Sequence, residues 1–214
     1  MKEHEREQSQ AEEIANSISH AIGLVAALFG APFLIIRSAR YGDTAFIVGS
    51  ILFSASIIIL YLSSTIYHWL PVGRIKRIFR VTEHSTIFIL IAGTYTPFTL
   101  GVLRGLWGWT LFGIIWSIAL VGIALKVFDK FSHSIISNGL YLLMGWLVVI
   151  AAGPLFENME PNGLFWLVAG GLFYTAGIAF FVTDSRLKYG HLIWHLFVLA
   201  GTACHYFAVL WYGY

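Results

Sequence analysis

The sequence predicts an all-α fold: a polytopic bundle of seven transmembrane helices, with the amino terminus in the cytoplasm and the carboxyl terminus outside. Three observations predict it. Of 214 residues, 58% are hydrophobic and only 11% are charged, against roughly 25% charged in an ordinary soluble domain. Seven long stretches, 14–36, 44–73, 84–103, 105–125, 131–156, 161–183 and 189–214, contain no Asp, Glu, Lys or Arg. Each can cross a hydrocarbon core, which takes about 20 helical residues. Lys and Arg also alternate between rich and poor connections. A net charge of +2 gives no footing to a nucleic-acid partner. A single cysteine, Cys204, offers neither a disulfide framework nor a CxxC metal site.

Taken in order, the elements carry distinct polar groups. The hydrophilic head "MKEHEREQSQAEE" puts the first stretch too late in the chain for a cleaved signal peptide, and that stretch is also too long for one. The expected organisation is a cytoplasmic head over 1–13 and one transmembrane domain over 14–214. Helix 1 opens with "EIANSISH", whose Glu13, Asn16 and His20 share a face at helical spacing. Helix 2 closes with "SSTIYHWL", setting Ser64 and His68 one turn apart. After the basic segment "GRIKRIFR", helix 3 enters with "TEHSTIF", bringing Glu83 and His84. Helix 7 opens with "HLIWHL", where His191 and His195 stand four residues apart and point the same way. Pro32, Pro97 and Pro154 fall in or near spans, where neighbouring helices can satisfy freed carbonyls.

Orientation follows from the basic residues. Ten lie on one side: Lys2, Arg6, Arg74, Lys76, Arg77, Arg80, Lys126, Lys130, Arg186 and Lys188. Three lie on the other: Arg37, Arg40 and Arg104. Trp107, Trp109, Trp211, Tyr212 and Tyr214 then fit an outer aromatic belt, and Trp69 an inner one. In that topology the end of helix 2 and the starts of helices 1, 3 and 7 meet in one layer near the cytoplasmic face.

Ionisable groups inside a membrane are costly, and they are tolerated where they pair, line a cavity or bind an ion. Three imidazoles at one depth form a ligand set suited to Zn²⁺, with a fourth position left for water. Glu83 and Ser64 have the chemistry to orient that water and accept its proton, which suits metal-assisted hydrolysis. Plainer readings compete. An HxxxH pair also serves interhelical hydrogen bonding. A buried serine commonly bonds its own helix carbonyl, and Glu83 also reads as an interfacial residue closing the basic segment. His84, His133 and His205 carry no special signal. His205 lies about 15 Å along the helix from His195, beyond one coordination shell.

The segments "EEIANSISHAIG", "SSTIYH", "TEHSTIFILIAGTYTPF" and "GHLIWHLFVLAGTACHYF" together resemble the hemolysin III family, the bacterial branch of the progestin and adipoQ receptor proteins. The resemblance runs over nearly the whole chain. It implies seven helices around a zinc ion near the cytoplasmic side, bound by the histidine of S-x3-H and both histidines of H-x3-H, here His68, His191 and His195. It associates Ser64, and an acidic residue at the start of helix 3, with metal-bound water. This chain carries Glu83 where aspartate is more typical, which leaves open whether Glu83 touches the water or the metal. The functions implied are a ceramidase-like hydrolase of a lipid amide, a non-enzymatic receptor or sensor with structural zinc, and a cytolysin. A membrane lipid is the expected substrate or ligand, and the plasma membrane (a bacterial inner membrane) the expected location. The cytolysin fits least, since seven spans leave no soluble state.

Overall fold

The computed structural model describes residues 8–128 and 134–214. The expectations placed on Lys2, Arg6, Lys130 and His133 lie outside these described residues. Those described form α1 (Gln10–Tyr41), α2 (Thr44–Trp69), α3 (Arg74–Leu100), α4 (Leu106–Val127), α5 (Ser134–Trp146), a 3-10 stretch (Leu147–Ala151), α6 (Ala152–Asn158), α7 (Pro161–Val182) and α8 (Gly190–Tyr212). No strand occurs among them. Six helical segments are long and apolar enough to cross a membrane: α1, α2, α4, the segment Ile136–Asn158, α7 and α8.

Local chemistry sets the helix starts. Ser9 caps α1 in a reciprocal capping box with Glu12. The Asp43 carboxylate accepts the Phe46 N–H at 2.9 Å to open α2. Pro161, at the first position of α7, supplies a preset φ where no N–H is needed. Along α1, Ile18, Ile22, Phe29 and Phe33 face outward and are exposed, while Asn16, Ser19 and His20 are buried. That distribution inverts a soluble helix and suits a lipid surround.

Successive helices pack side by side from α1 to α4, α7 packs on α8, and α1 closes the ring against α8. α3 touches α2, α4, α5 and α8. Its second half is buried without interruption from Ala92 to Leu100, and small residues allow that depth. A side chain at Gly49 would collide with the backbone of Pro97, and one at Gly93 with Ser56, so α2 and α3 approach closely. Thr94 and Thr96 satisfy their hydroxyls on the carbonyls of Leu90 and Ala92. These hydroxyls, with Tyr95 and Pro97, dilute the hydropathy of α3.

Two sequence expectations need correction. The basic segment over 74–80 is not a loop but the first two turns of α3, and Arg37 and Arg40 belong to the end of α1. Cationic side chains are long enough to leave a helix end for the interface, so charge marks span boundaries without ending the helix. The stretch 131–156, read as one uninterrupted span, is broken at Leu147. Tyr95 accounts for the break. Its hydroxyl faces the carbonyls of Met144 and Gly145 at 2.8 and 2.9 Å and accepts the Val148 N–H at 2.8 Å. A phenol from α3 thus replaces the helical hydrogen bonds that the break gives up.

Tyr95→Phe leaves those groups unpaired in an apolar interior, which costs roughly 1–3 kcal/mol. The bond from the Tyr141 hydroxyl to the His84 carbonyl is 2.8 Å, and its loss in Tyr141→Phe costs about 1 kcal/mol. Thermal unfolding in detergent should therefore place Tyr95→Phe below Tyr141→Phe; the reverse order would show that the phenol does not hold the break.

Candidate metal centre

Four buried side chains converge where α2, α3 and α8 meet. His68 closes α2, Glu83 lies in the third turn of α3, and His191 and His195 share the inward face at the start of α8. Each offers one ligand atom within 4.8 Å of all the others. Donors about 2.0–2.2 Å from one ion at tetrahedral angles lie about 3.3–3.6 Å apart, so a pair at the upper end of the observed separations would draw together by about an ångström to close around one. The ring centroids stand 5.0 Å apart for His68 and His191, 5.0 Å for His68 and His195, and 4.7 Å for His191 and His195.

Hydrogen bonds orient all three imidazoles alike. His68 Nδ1 donates to Glu13 Oε2 at 2.7 Å, and His191 Nδ1 to Asp184 Oδ2 at 2.8 Å. His195 Nδ1 donates to the Asn16 carbonyl at 3.2 Å and stands 3.0 Å from Ser19 Oγ. A carboxylate or carbonyl oxygen can only accept, so the proton sits on Nδ1 and the lone pair on Nε2. His68 Nε2 and His191 Nε2 are buried with no hydrogen-bond partner. Unpaired buried nitrogens need an explanation. Here they face one another and an acidic oxygen, in the arrangement that metal-binding histidines take from their outer partners.

Glu83 completes the group. Its Oε1 accepts a hydrogen bond from Ser64 Oγ at 2.8 Å and lies 3.5 Å from His68 Nε2. Ser64 is therefore the support of Glu83, not a hydroxyl folded back on α2. His84 flanks the group without joining it, with Nδ1 2.7 Å from the Arg80 carbonyl and 3.6 Å from Glu83 Oε2. His205 lies farther along α8 beside Gly170, with Nε2 3.1 Å from the Leu167 carbonyl. Three of the four residues expose imidazole and one a carboxylate, a donor set suited to several divalent ions.

α1 contributes the outer partners. Glu13 spans His68 and Lys76, the latter at 2.8 Å. Glu12 Oε1 accepts the Tyr189 N–H at 2.8 Å, and Tyr189, at φ 58°, is the non-glycine residue in the left-handed region among those described. That bond fixes the entry to α8 one residue ahead of Gly190 and two ahead of His191. Asp184 and Ser19 are partners of the imidazoles that sequence reasoning missed. Asp184 reaches His191 across the turn "TDSRLKYG" and Ser19 reaches His195 between helices, so neither shares a helical spacing with the histidine it meets.

Beyond the group lies a cavity of about 580 Å³. Glu83 and His20 line it near the centre, and Ile87, Leu90, Leu167 and Val198 form apolar walls. Toward the outside it runs between the broken segment and α7, past the exposed side chains of Val149, Phe156, Phe165 and Val168.

Fold and site define a multi-pass integral membrane protein with a buried histidine and carboxylate group able to hold a metal ion. The family model described as Haemolysin-III related matches residues 8–206, and the chain belongs to that family. It is 42% identical to Hemolysin-3 of Bacillus cereus over 94% of this chain and 91% of that protein. It is 44% identical to the Hemolysin-3 homolog of Bacillus subtilis (strain 168) over 94% of each. A more distant relative, the human Monocyte to macrophage differentiation factor, is 28% identical over 95% of this chain and 85% of its own length. No solved structure matches the chain. The family, the apolar helices and the bacterial relatives make it a multi-pass protein of the bacterial inner membrane.

Proposed function

We propose that this protein is a zinc-dependent hydrolase of a membrane lipid amide, ceramidase-like in its chemistry. The observation that carries the reading is a set of Nδ1-anchored imidazoles, their free nitrogens turned toward Glu83, at the foot of an apolar cavity. His68, His191 and His195 hold the metal in this reading. Zinc bound there would supply Lewis acidity, polarising a carbonyl and acidifying water. Glu83, oriented by Ser64, accepts a proton from the attacking water and returns it to the leaving nitrogen, so that amide and water become carboxylic acid and amine. The apolar walls hold the acyl chain and keep bulk water from the carbonyl. The outward run of the cavity past Val149 and Val168 lets a lipid enter from the side.

One observation favours a second reading. Glu83 lies within ligand reach of the three imidazoles, and four protein ligands make a closed site of the structural kind. In that case zinc fastens α2, α3 and α8 in a receptor or sensor with no turnover.

The topology proposed for either reading is seven spans in a single domain over 14–214, the amino terminus inside and the carboxyl terminus outside, with α3 as the remaining span. At 27 residues it is about 40 Å long, enough to cross the hydrocarbon core.

A reporter fused after Tyr214 should read outside, and one inserted near Lys188 inside; a cytoplasmic carboxyl terminus would overturn the proposed topology. His68→Ala, His191→Ala and His195→Ala should each strip most zinc from the purified protein, whereas His205→Ala should keep it. Elemental analysis decides, and zinc retained by all three of the first set would place the metal elsewhere. Glu83→Gln should retain zinc while lowering ceramide hydrolysis by about 10²–10⁴-fold. Loss of zinc in that variant, with no hydrolysis by zinc-loaded wild type in lipid, would favour the fastener over the enzyme.

A further inference from the structure

The start of α3 carries positive charge that the described residues leave largely unmatched. Arg74, Lys76, Arg77 and Arg80 fall within its first two turns, and no acidic residue occurs in the sequence between Asp43 and Glu83. Lys76 is committed to Glu13, 2.8 Å away. Arg74, Arg77 and Arg80 are exposed, and their side chains make no hydrogen bond or ion pair among the described residues. At a spacing of three residues they form one strip along the helix, while Lys76 and Phe79, both partly buried, lie on the side nearer the bundle.

An apolar strip adjoins the basic one. Ile75 and Ile78 are exposed on α3, and Trp69 and Val72, at the end of α2 and in the connection that follows it, are 72% and 94% exposed. Guanidinium groups beside exposed apolar side chains match a surround that is anionic at one depth and hydrocarbon at the next. The headgroup layer of a bilayer with acidic lipids has that character. A guanidinium also pairs with two phosphate oxygens at once, the geometry of a phosphodiester headgroup.

We propose that the first two turns of α3 are a docking surface for an anionic phospholipid, its phosphate held by Arg74, Arg77 and Arg80 and its acyl chains lying against Trp69, Val72, Ile75 and Ile78. The lipid belongs to the leaflet on the side of the metal centre. Arg80 precedes Glu83 by three residues, about 4.5 Å along the axis, so an occupied site steadies the helix that carries Glu83. The contact is independent of what the centre does.

The test uses full-length protein in uncharged detergent, titrated with dioleoyl phosphatidylglycerol and, separately, with dioleoyl phosphatidylcholine. Native mass spectrometry follows binding of the first lipid molecule. Wild type should bind phosphatidylglycerol more tightly. Arg74→Gln, Arg77→Gln and Arg80→Gln should each lower that preference about fivefold, the effect of one basic residue near an anionic lipid. The triple variant should erase it. Melting temperature should stay unchanged, since these side chains have no partner to lose, and the single variants carry the test if the triple one does not fold. Replacing all three by lysine should keep most of the preference. Arg40→Gln, which alters an exposed arginine at the far end of α1, should leave it intact. A preference that survives in the triple glutamine variant, or that falls as much in Arg40→Gln, overturns the proposal. Inorganic phosphate or glycerol phosphate binding as tightly as the lipid also overturns it, because the surface would then serve a soluble anion.

Discussion

A polar atom inside a bilayer has no water to turn to, and this molecule is organised around that constraint. Each histidine at the centre divides its two nitrogens between tasks. Nδ1 is tied to an oxygen from α1 or from the turn before α8, and Nε2 of His68 and of His191 is left without a hydrogen-bond partner. The tie fixes tautomer and ring plane together. Ser64 does the same for Glu83. The centre is thus shaped by residues that never touch it, and α1, which supplies none of the four converging atoms, supplies Glu13, Asn16 and Ser19 as the frame.

The same constraint explains the wall of the cavity. A helix broken at membrane depth exposes carbonyls and N–H groups, which survive only where protein satisfies them. Tyr95 does so from α3 with a single hydroxyl. The 3-10 turn that results separates α5 from α6, and residues on both sides of the turn line the cavity. A polar repair in the backbone and an apolar chamber beside the centre are therefore parts of one feature.

Much of this was legible in the sequence, for a physical reason. Charge-free length marks spans, and i, i+4 spacing marks a shared face, so Ser64 with His68 and His191 with His195 could be paired from the chain alone. Glu83 at the start of a helix entering from the same side could be placed by topology. Other contacts have no such signature. Asp184 meets His191 through the shape of a turn, and Ser19 meets His195 through the packing of α1 on α8. The break at Leu147 was invisible because "GWLVVIAAG" is apolar throughout and its cause, Tyr95, lies on another helix. α3 falls outside the six segments apolar enough to cross a membrane, and its buried threonines and tyrosine, which bond inside the bundle, contribute to lowering its average hydropathy.

The closure of the ring by α1 and α8 bears on how the protein is made. Chain order delivers Glu12, Glu13, His68 and Glu83 to the membrane well before Tyr189, His191 and His195. Until the final helix is inserted, Glu12 lacks the Tyr189 amide and Glu83 faces a half-built centre, so acidic groups stand in or near lipid without their later partners. Assembly of the four-residue group is thereby deferred to the last step of synthesis. A nascent chain stalled before α8 presents an incomplete centre at the membrane, in which Glu13 already holds His68 and Lys76 and Ser64 already holds Glu83 but the two facing imidazoles are absent, the kind of defect by which proteolytic surveillance can tell an unfinished product from a finished one.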